Sequence, residues 1–287
     1  MMMEWIQRDF GYTISFPQWM LFGIPMGLLV LLMVLGTFRY VVRPDVSKIT
    51  GMTTEYIRET AGKMGAMKLE EKLALGIFLM VVVCWMLPGA GVPGVSACLN
   101  KMGFAIPALV GACLLCLIRV KNQPVLSFEQ WMTGGVEWGS TILCAAIMVI
   151  GVALGNPETG IPQLLTDIFQ PIAMAVPFYV FLLISVFWVT TQTNIMSNLV
   201  SQTLVYTIMV PAAAAAGVGN MAALGTTICA ASSKAFVLPS ATTTSAIVIG
   251  SGWVSVKFMA RYGLYLIIPV TLVFTFICYP LCVLIFG

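Results

Sequence analysis

The chain has 287 residues, 60% of them apolar and 9% charged, with 14 Lys and Arg against 11 Asp and Glu for a net charge of +3. A soluble domain of ordinary composition is about 45–50% apolar and about 25% charged, so this balance excludes one. Histidine is absent, which removes imidazole acid–base chemistry, imidazole metal ligation and imidazole proton relays.

Several windows are long enough to cross a bilayer, which takes roughly 20 apolar residues as a helix. The alternating pattern of a membrane barrel is missing. The fold class is therefore an all-α polytopic membrane protein. The positive charge is spread over loops rather than gathered into a patch, so no nucleic-acid partner is expected. The eight cysteines lie mostly inside apolar stretches. Cys113 and Cys116 have C-x-x-C spacing but sit in LVGACLLCLI, a predicted span, and read as small packing residues. The N-terminal MEWIQRDFGY has mixed charge and no cleavable-leader pattern.

In chain order, spans are predicted at 19–42, 73–88, 102–120, 138–154 and 263–286. Between the first two lies the one hydrophilic stretch, 39–72, with seven Lys and Arg against five acids. The positive-inside rule makes it cytoplasmic, and counting spans onward puts the C-terminus outside. The segment 162–170 reads as a short amphipathic helix at the outer surface, and two apolar arms follow at 171–189 and 204–217. Between the arms stands TTQTNIMSNLVSQT (190–203), in which ten of fourteen residues are polar and none is charged. This pattern predicts a re-entrant helical hairpin that turns inside the membrane. The stretch 221–238 reads as a half-span ending at Pro239, followed by a second hydroxyl-rich break, SATTTSAIVIGSG (240–252).

A weak internal repeat links TISFPQWMLFGI (13–24) to WVSVKFMARYGL (253–264), pairing Ser15 with Ser255 and Gly23 with Gly263. The two copies start on opposite sides by the charge count, the mark of an inverted-repeat transporter fold. The organisation predicted is a tail of a first repeat with one span (1–42), a cytoplasmic linker (43–72) and scaffold helices of the second repeat (73–154). The hairpin and broken helix (155–262) and a last span (263–287) complete it, with the first repeat mostly absent.

Irregular backbone at membrane depth is tolerated only where protein buries it or where it lines a watery cavity. Helix N-termini suit anions, while free carbonyls and helix C-termini suit Na⁺. Two hydroxyl-rich breaks close in sequence thus read as two walls of one site for a small anion and a cation. The blander reading, polar residues gluing helices together, fits one such residue better than ten.

At these breaks the chain resembles the divalent-anion:sodium symporter family, which carries dicarboxylates, citrate or sulfate. Ser197-Asn198-Leu199 is similar to the family's second Ser-Asn-Thr hairpin motif, and AFVLPSATTTSAIVIGSG (235–252) aligns without a gap to its second broken helix. The segment ISFPQWMLFGIPMGLL (14–29) resembles the stretch after the family's first broken helix.

The resemblance implies that Ser197, Asn198, Thr242 and Thr243 bind the substrate's oxyanion. It implies a sodium held by Thr193, Asn198 and the backbone oxygens of Met196 and Ala241. It also implies elevator-like alternating access in the cell (inner) membrane, a homodimer made through the scaffold helices, and no cofactor beyond Na⁺ as coupling ion. Three departures stand out: Leu199 replaces Thr, Thr243-Thr244-Ser245 replace Pro-Pro-Asn, and Lys234 replaces an apolar residue. A Lys near mid-span costs about 2.5–3.5 kcal/mol on insertion scales and is functional by default. Its ammonium is expected to substitute for a sodium or to attract the anion, against the alternative that it snorkels to water.

The family's first hairpin and first sodium site have no counterpart here, so the chain is expected to be the C-terminal half of a transporter. Sodium-coupled transport of a divalent anion is the leading reading. A sodium-independent exchanger on the same fold and a transport-inactive half or partner subunit are the alternatives. A membrane enzyme, with Glu137 as its one acid near a span, is the reading from another class.

Overall fold

The computed structural model describes residues 2–12, 14–43, 66–90, 94–136 except 104, and 156–286 except 251 and 253, with isolated positions between. Most of the 43–72 linker and of the 138–154 span, together with Glu137, lie outside the described residues. The architecture is all-α. Among the described residues the only strands are β1 (Arg119–Val120) and β2 (Gln123–Pro124), an antiparallel pair with Arg119 opposite Pro124. Lys121 and Asn122 turn between them at φ 50° and 68°, the mirror-image turn that matches strand twist.

The chain forms two compact units: Met1–Ile14 with Leu21–Val34 and Gly139–Gly287, and Ser15–Met20 with Leu35–Trp138. Helix α1 (Met2–Phe10) opens the first, and α2 (Phe16–Gly36), which continues as a π-helical turn to Val42, runs through both. The second unit contains α3 (Leu69–Met86), α4 (Val95–Met102), α5 (Ala105–Leu117) and the short α6 (Phe128–Gln130). Its central contact is α3 on α5, where a Cβ at Gly111 would lie 2.7 Å from a Val81 methyl. Small residues let apolar helices approach this closely in a membrane.

The first unit holds α7 (Ile161–Ala175), α8 (Phe178–Thr193), α9 (Asn198–Ala216), α10 (Met221–Ser232) and α11 (Thr243–Gly250). Then come α12 (Val256–Val273), a π-helical turn (Phe274–Cys278) and α13 (Tyr279–Phe286). Helices α8, α9 and α10 pack on one another around Phe181, Leu182, Val205, Tyr206, Leu224 and Ile228, each buried. Phe274, Cys278 and Cys282 belong to the same core. Helix α1 joins it through Trp5, whose ring stands 5.1 Å from that of Tyr206, and the Tyr206 hydroxyl donates to Asp9 at 3.2 Å.

Among the described residues, three helical runs are long and apolar enough to cross a bilayer: Phe16–Val42, Asn198–Ala216 and Val256–Phe286. On the first, the buried residues Phe22, Met26 and Val30 form one stripe at i, i+4 spacing. Leu21, Leu28 and Leu32 stand exposed around it, as lipid-facing side chains do. Ser15 and Ser255, paired in the repeat alignment, both accept a backbone N–H three residues on, at the starts of α2 and α12.

Several predicted boundaries move. The polar block is mostly helical: α8 runs through Thr193, α9 starts at Asn198, and only 194–197 turn. Neutral hydroxyls and amides can sit in a helix when their hydrogens return to the preceding turn, as Thr190 does to the Val186 carbonyl at 2.6 Å. The amphipathic helix and first arm also divide elsewhere. Helix α7 carries Pro171 in its interior and ends at Ala175, and the break falls before Pro177. Helix α10 stops at Ser232 rather than at Pro239, leaving 233–242 unwound.

Candidate functional site

The last turn of α8 and the end of α10 are tied together side chain to backbone. Asn194, 2% exposed, accepts the Phe236 and Val237 N–H groups on Oδ1 at 2.6 and 2.9 Å. Its Nδ2 donates to the Thr190 carbonyl at 2.6 Å and to the Lys234 carbonyl at 3.4 Å. A primary amide offers two donors and one acceptor oxygen with two lone pairs, so the whole capacity of this side chain is used. Two residues of the unwound segment, which no helix ladder satisfies, thereby gain partners.

Beside Asn194 lies a cluster of oxygens. Thr193 Oγ1 is 2.7 Å from Asn198 Oδ1 and also makes a short contact with the Ser232 carbonyl. A hydroxyl has one hydrogen, so it can serve only one of these two acceptors at a time. Two carbonyl oxygens, those of Asn198 and Ser232, thus gather around one hydroxyl, and neutral oxygens are ligands that small hard cations take. Nearby, the Ser232 hydroxyl donates to the Cys229 carbonyl at 2.7 Å and approaches Gln202 Oε1 at 3.3 Å. Thr191 Oγ1, Gln192 Oε1 and Ser201 Oγ are buried without a hydrogen-bond partner, all three on the helices flanking the turn. Orphaned buried oxygens of this kind ask for an ion, a water or a ligand group.

The other predicted residues stand as follows. Ser197 is the N-cap of α9, in an extended conformation (φ −54°, ψ 139°), and its carbonyl accepts from the Ser201 N–H at 3.0 Å. Met196 is exposed, and Ala241 is buried in the second break. Thr242 Oγ1 accepts the Ser245 N–H at 3.1 Å and lies 2.9 Å from Ser245 Oγ, which makes it the cap of α11. The side chain of Thr243 lies outside the described residues. Thr193 and Asn198 are thus brought together. Among the described residues no hydrogen bond joins Ser197 or Asn198 to Ala241 or Thr242.

Lys234 lies at the start of the unwound segment. Its ammonium donates to Ser233 Oγ at 3.0 Å and stands 6.0 Å from the centre of the Phe274 ring. No carboxylate among the described residues pairs with it. Gly263 of α12 passes directly under the same segment: a Cβ there would collide with the Phe236 carbonyl and fall 2.8 Å from Val237 Cα.

Reading the residues in order missed Asn194 and the Ser232 carbonyl. Asn194 lay inside the polar block, and its signal was an amide on the final turn of an apolar helix just before a break. The Ser232 carbonyl has no sequence signal at all.

Residues 1–285 match the family described as sodium:sulfate symporter transmembrane region. The sodium-dependent dicarboxylate transporter SdcS of Staphylococcus saprophyticus is 28% identical over 283 residues, covering 96% of this chain and 53% of that protein. The SdcS of Staphylococcus aureus strain USA300 is 26% identical over 285 residues, covering 98% of this chain and 53% of its own length. The chain therefore spans about half the length of these relatives. The match is to transporters and not to enzymes, which disposes of the membrane-enzyme reading. On this match over nearly its whole length, the chain belongs to the sodium:sulfate symporter family, the divalent-anion:sodium symporters that its sequence resembles.

Proposed function

We propose that this chain carries the second-repeat half of a sodium-coupled transporter of a small divalent anion, a dicarboxylate, citrate or sulfate. The relatives named for sodium-dependent dicarboxylate transport support the ion and make a dicarboxylate the first anion to try. The observation that carries the reading is the cluster of neutral oxygens from Thr193, Asn198 and the Ser232 carbonyl at the turn. The sodium sits at that cluster, with the Met196 and Ala241 carbonyls closing on it. Ser197, Asn198, Thr242 and Thr243 receive the anion at the N-terminal ends of α9 and α11, whose backbone N–H groups favour negative charge. The rest of the anion's contacts come from the half of the transporter that this chain does not span.

The transport motion is elevator-like: α8–α11 move as one body against scaffold helices, which also form a homodimer. Two lengths support a re-entrant hairpin and a broken helix. Helix α8 has 16 residues and α10 has 12, about 24 and 18 Å at 1.5 Å per residue, short of the roughly 30 Å hydrocarbon core.

The test is thermal unfolding of the purified chain in NaCl or choline chloride, with and without succinate, citrate or sulfate. A ligand at a hundred times its Kd stabilises by about 2.7 kcal/mol. Sodium alone is expected to raise the unfolding temperature, and Thr193→Val to abolish that rise while leaving the protein folded in choline. Equal unfolding in the two salts would sink the sodium site. A sodium effect without any anion effect would place the anion's determinants in the other half.

Lys234 favours a second reading, a sodium-independent exchanger on the same fold. An ammonium without a carboxylate partner at the break supplies the positive charge that a second sodium otherwise would. Anion binding that is identical in sodium and choline, and lost in Lys234→Leu, would select this reading over the first.

A further inference from the structure

The second unit contains a cleft of about 690 Å³ lined by Lys68, Leu69, Glu70, Arg119, Val120 and Lys121. It lies where α3 begins and α5 has just ended, so two packed apolar helices finish at the same level. We propose that this cleft binds the headgroup phosphate of an anionic phospholipid.

Three cations face one carboxylate, that of Glu70. Glu71 is not part of the cleft lining, and its Oε2 accepts the Lys68 backbone N–H at 3.0 Å. No ion pair among the described residues neutralises Lys68, Arg119 or Lys121. The two basic residues beyond α5 are held by the strand pair and by the left-handed turn at Lys121 and Asn122, so they do not rely on a floppy loop for their position. A guanidinium matches a phosphate with two parallel hydrogen bonds, and ammonium groups add charge around it.

A lipid phosphate is favoured over a soluble anion by what surrounds the cleft. Leu69 at its edge and Leu117 at the end of α5 are 57% and 75% exposed, and Met80, about three turns on along the same face of α3 as Leu69, is exposed as well. A headgroup in the cleft would thus have its acyl chains against the outward-facing Leu69, Leu117 and Met80. The charge rule that assigns 39–72 to the cytoplasm assigns this end of α3 to the same side. Anionic headgroups are bound there by basic pockets between membrane helices.

The experiment uses the purified whole chain and is independent of the transport reading. Native mass spectrometry and thermal unfolding are compared with added phosphatidylglycerol, phosphatidylcholine or inorganic phosphate. Phosphatidylglycerol is expected to remain bound as a discrete adduct and to raise the unfolding temperature, with phosphatidylcholine and inorganic phosphate doing neither. The double variant Arg119→Gln/Lys121→Gln is expected to weaken retention at least tenfold, while Lys72→Gln, on the same helix outside the cleft, leaves it unchanged. Equal retention of the two lipids, or wild-type retention by the double variant, overturns the proposal. An equal response to inorganic phosphate overturns the lipid as the source. Should the double variant fail to fold, a salt titration of the unmodified chain decides: retention must fall as ionic strength rises.

Discussion

The helix pair α3–α5 and the junction of α8 with the unwound segment after α10 close in different ways. At the first, Gly111 admits the Val81 and Ile77 methyls, and the contact is one of shape. At the second, Asn194 and Thr193 reach backbone groups about 40 positions away in the chain, and the contact is one of hydrogen bonds. The difference teaches where this protein holds fixed geometry. A shape contact between apolar helices can slide or adjust at modest cost. A buried amide that satisfies two otherwise orphaned N–H groups cannot shift without losing both.

The largest expected effect comes from removing that amide. Asn194→Leu keeps the volume but leaves the Phe236 and Val237 N–H groups without an acceptor, at about 1–3 kcal/mol each. Unfolding in detergent should begin several degrees lower, and limited proteolysis should open the chain between 233 and 242. An unfolding temperature within one degree of wild type would mean that the break is held by something else.

Two glycines make the next comparison. Gly263→Ala drives a methyl against backbone at Phe236 and Val237, which cannot retreat as a side chain can, and should cost about 1–3 kcal/mol. Gly111→Ala meets the γ-methyls of Val81 and Ile77 rather than backbone, and the gain in helix propensity of about 1 kcal/mol offsets part of the strain. Its unfolding temperature should fall less than that of Gly263→Ala. If Gly111→Ala proves the more damaging, the contrast drawn between the two regions is wrong.

The smallest effect on stability is expected at Lys234. Replacing it by Leu removes a partly buried ammonium whose one side-chain hydrogen bond is to the neighbouring Ser233, so unfolding in choline should change little. What should change is ligand response, in either the sodium dependence or the anion affinity of the thermal shift. An unaltered response on both counts would leave Lys234 as a snorkelling side chain.

Much of this was legible before any coordinates. The two breaks announced themselves as runs of uncharged polar residues between apolar arms, and Thr193 and Asn198 were paired through the family motif. The edges were not legible, because a Thr at the end of α8 and a Thr in a loop read alike. Only the return of Thr190 Oγ1 to the Val186 carbonyl distinguishes them. Thr242 has the same kind of contact: the hydroxyl that the family motif directs to the anion also accepts the Ser245 N–H at the start of α11, which the sequence does not announce.

What the sequence determined by itself is the class of molecule. Hydropathy, charge asymmetry and the absence of histidine are sums over residues, and sums do not depend on which residues touch. The tertiary structure alone decided that Asn194 spends all its bonds on joining two helices, and that the Ser232 carbonyl completes a cluster around Thr193. It also decided that Lys68, Arg119 and Lys121 share one cleft. Each of these is a meeting of groups far apart in the chain. Backbone carbonyls and N–H groups are the same at every residue, so only the fold can say which are left over and which side chain reaches them.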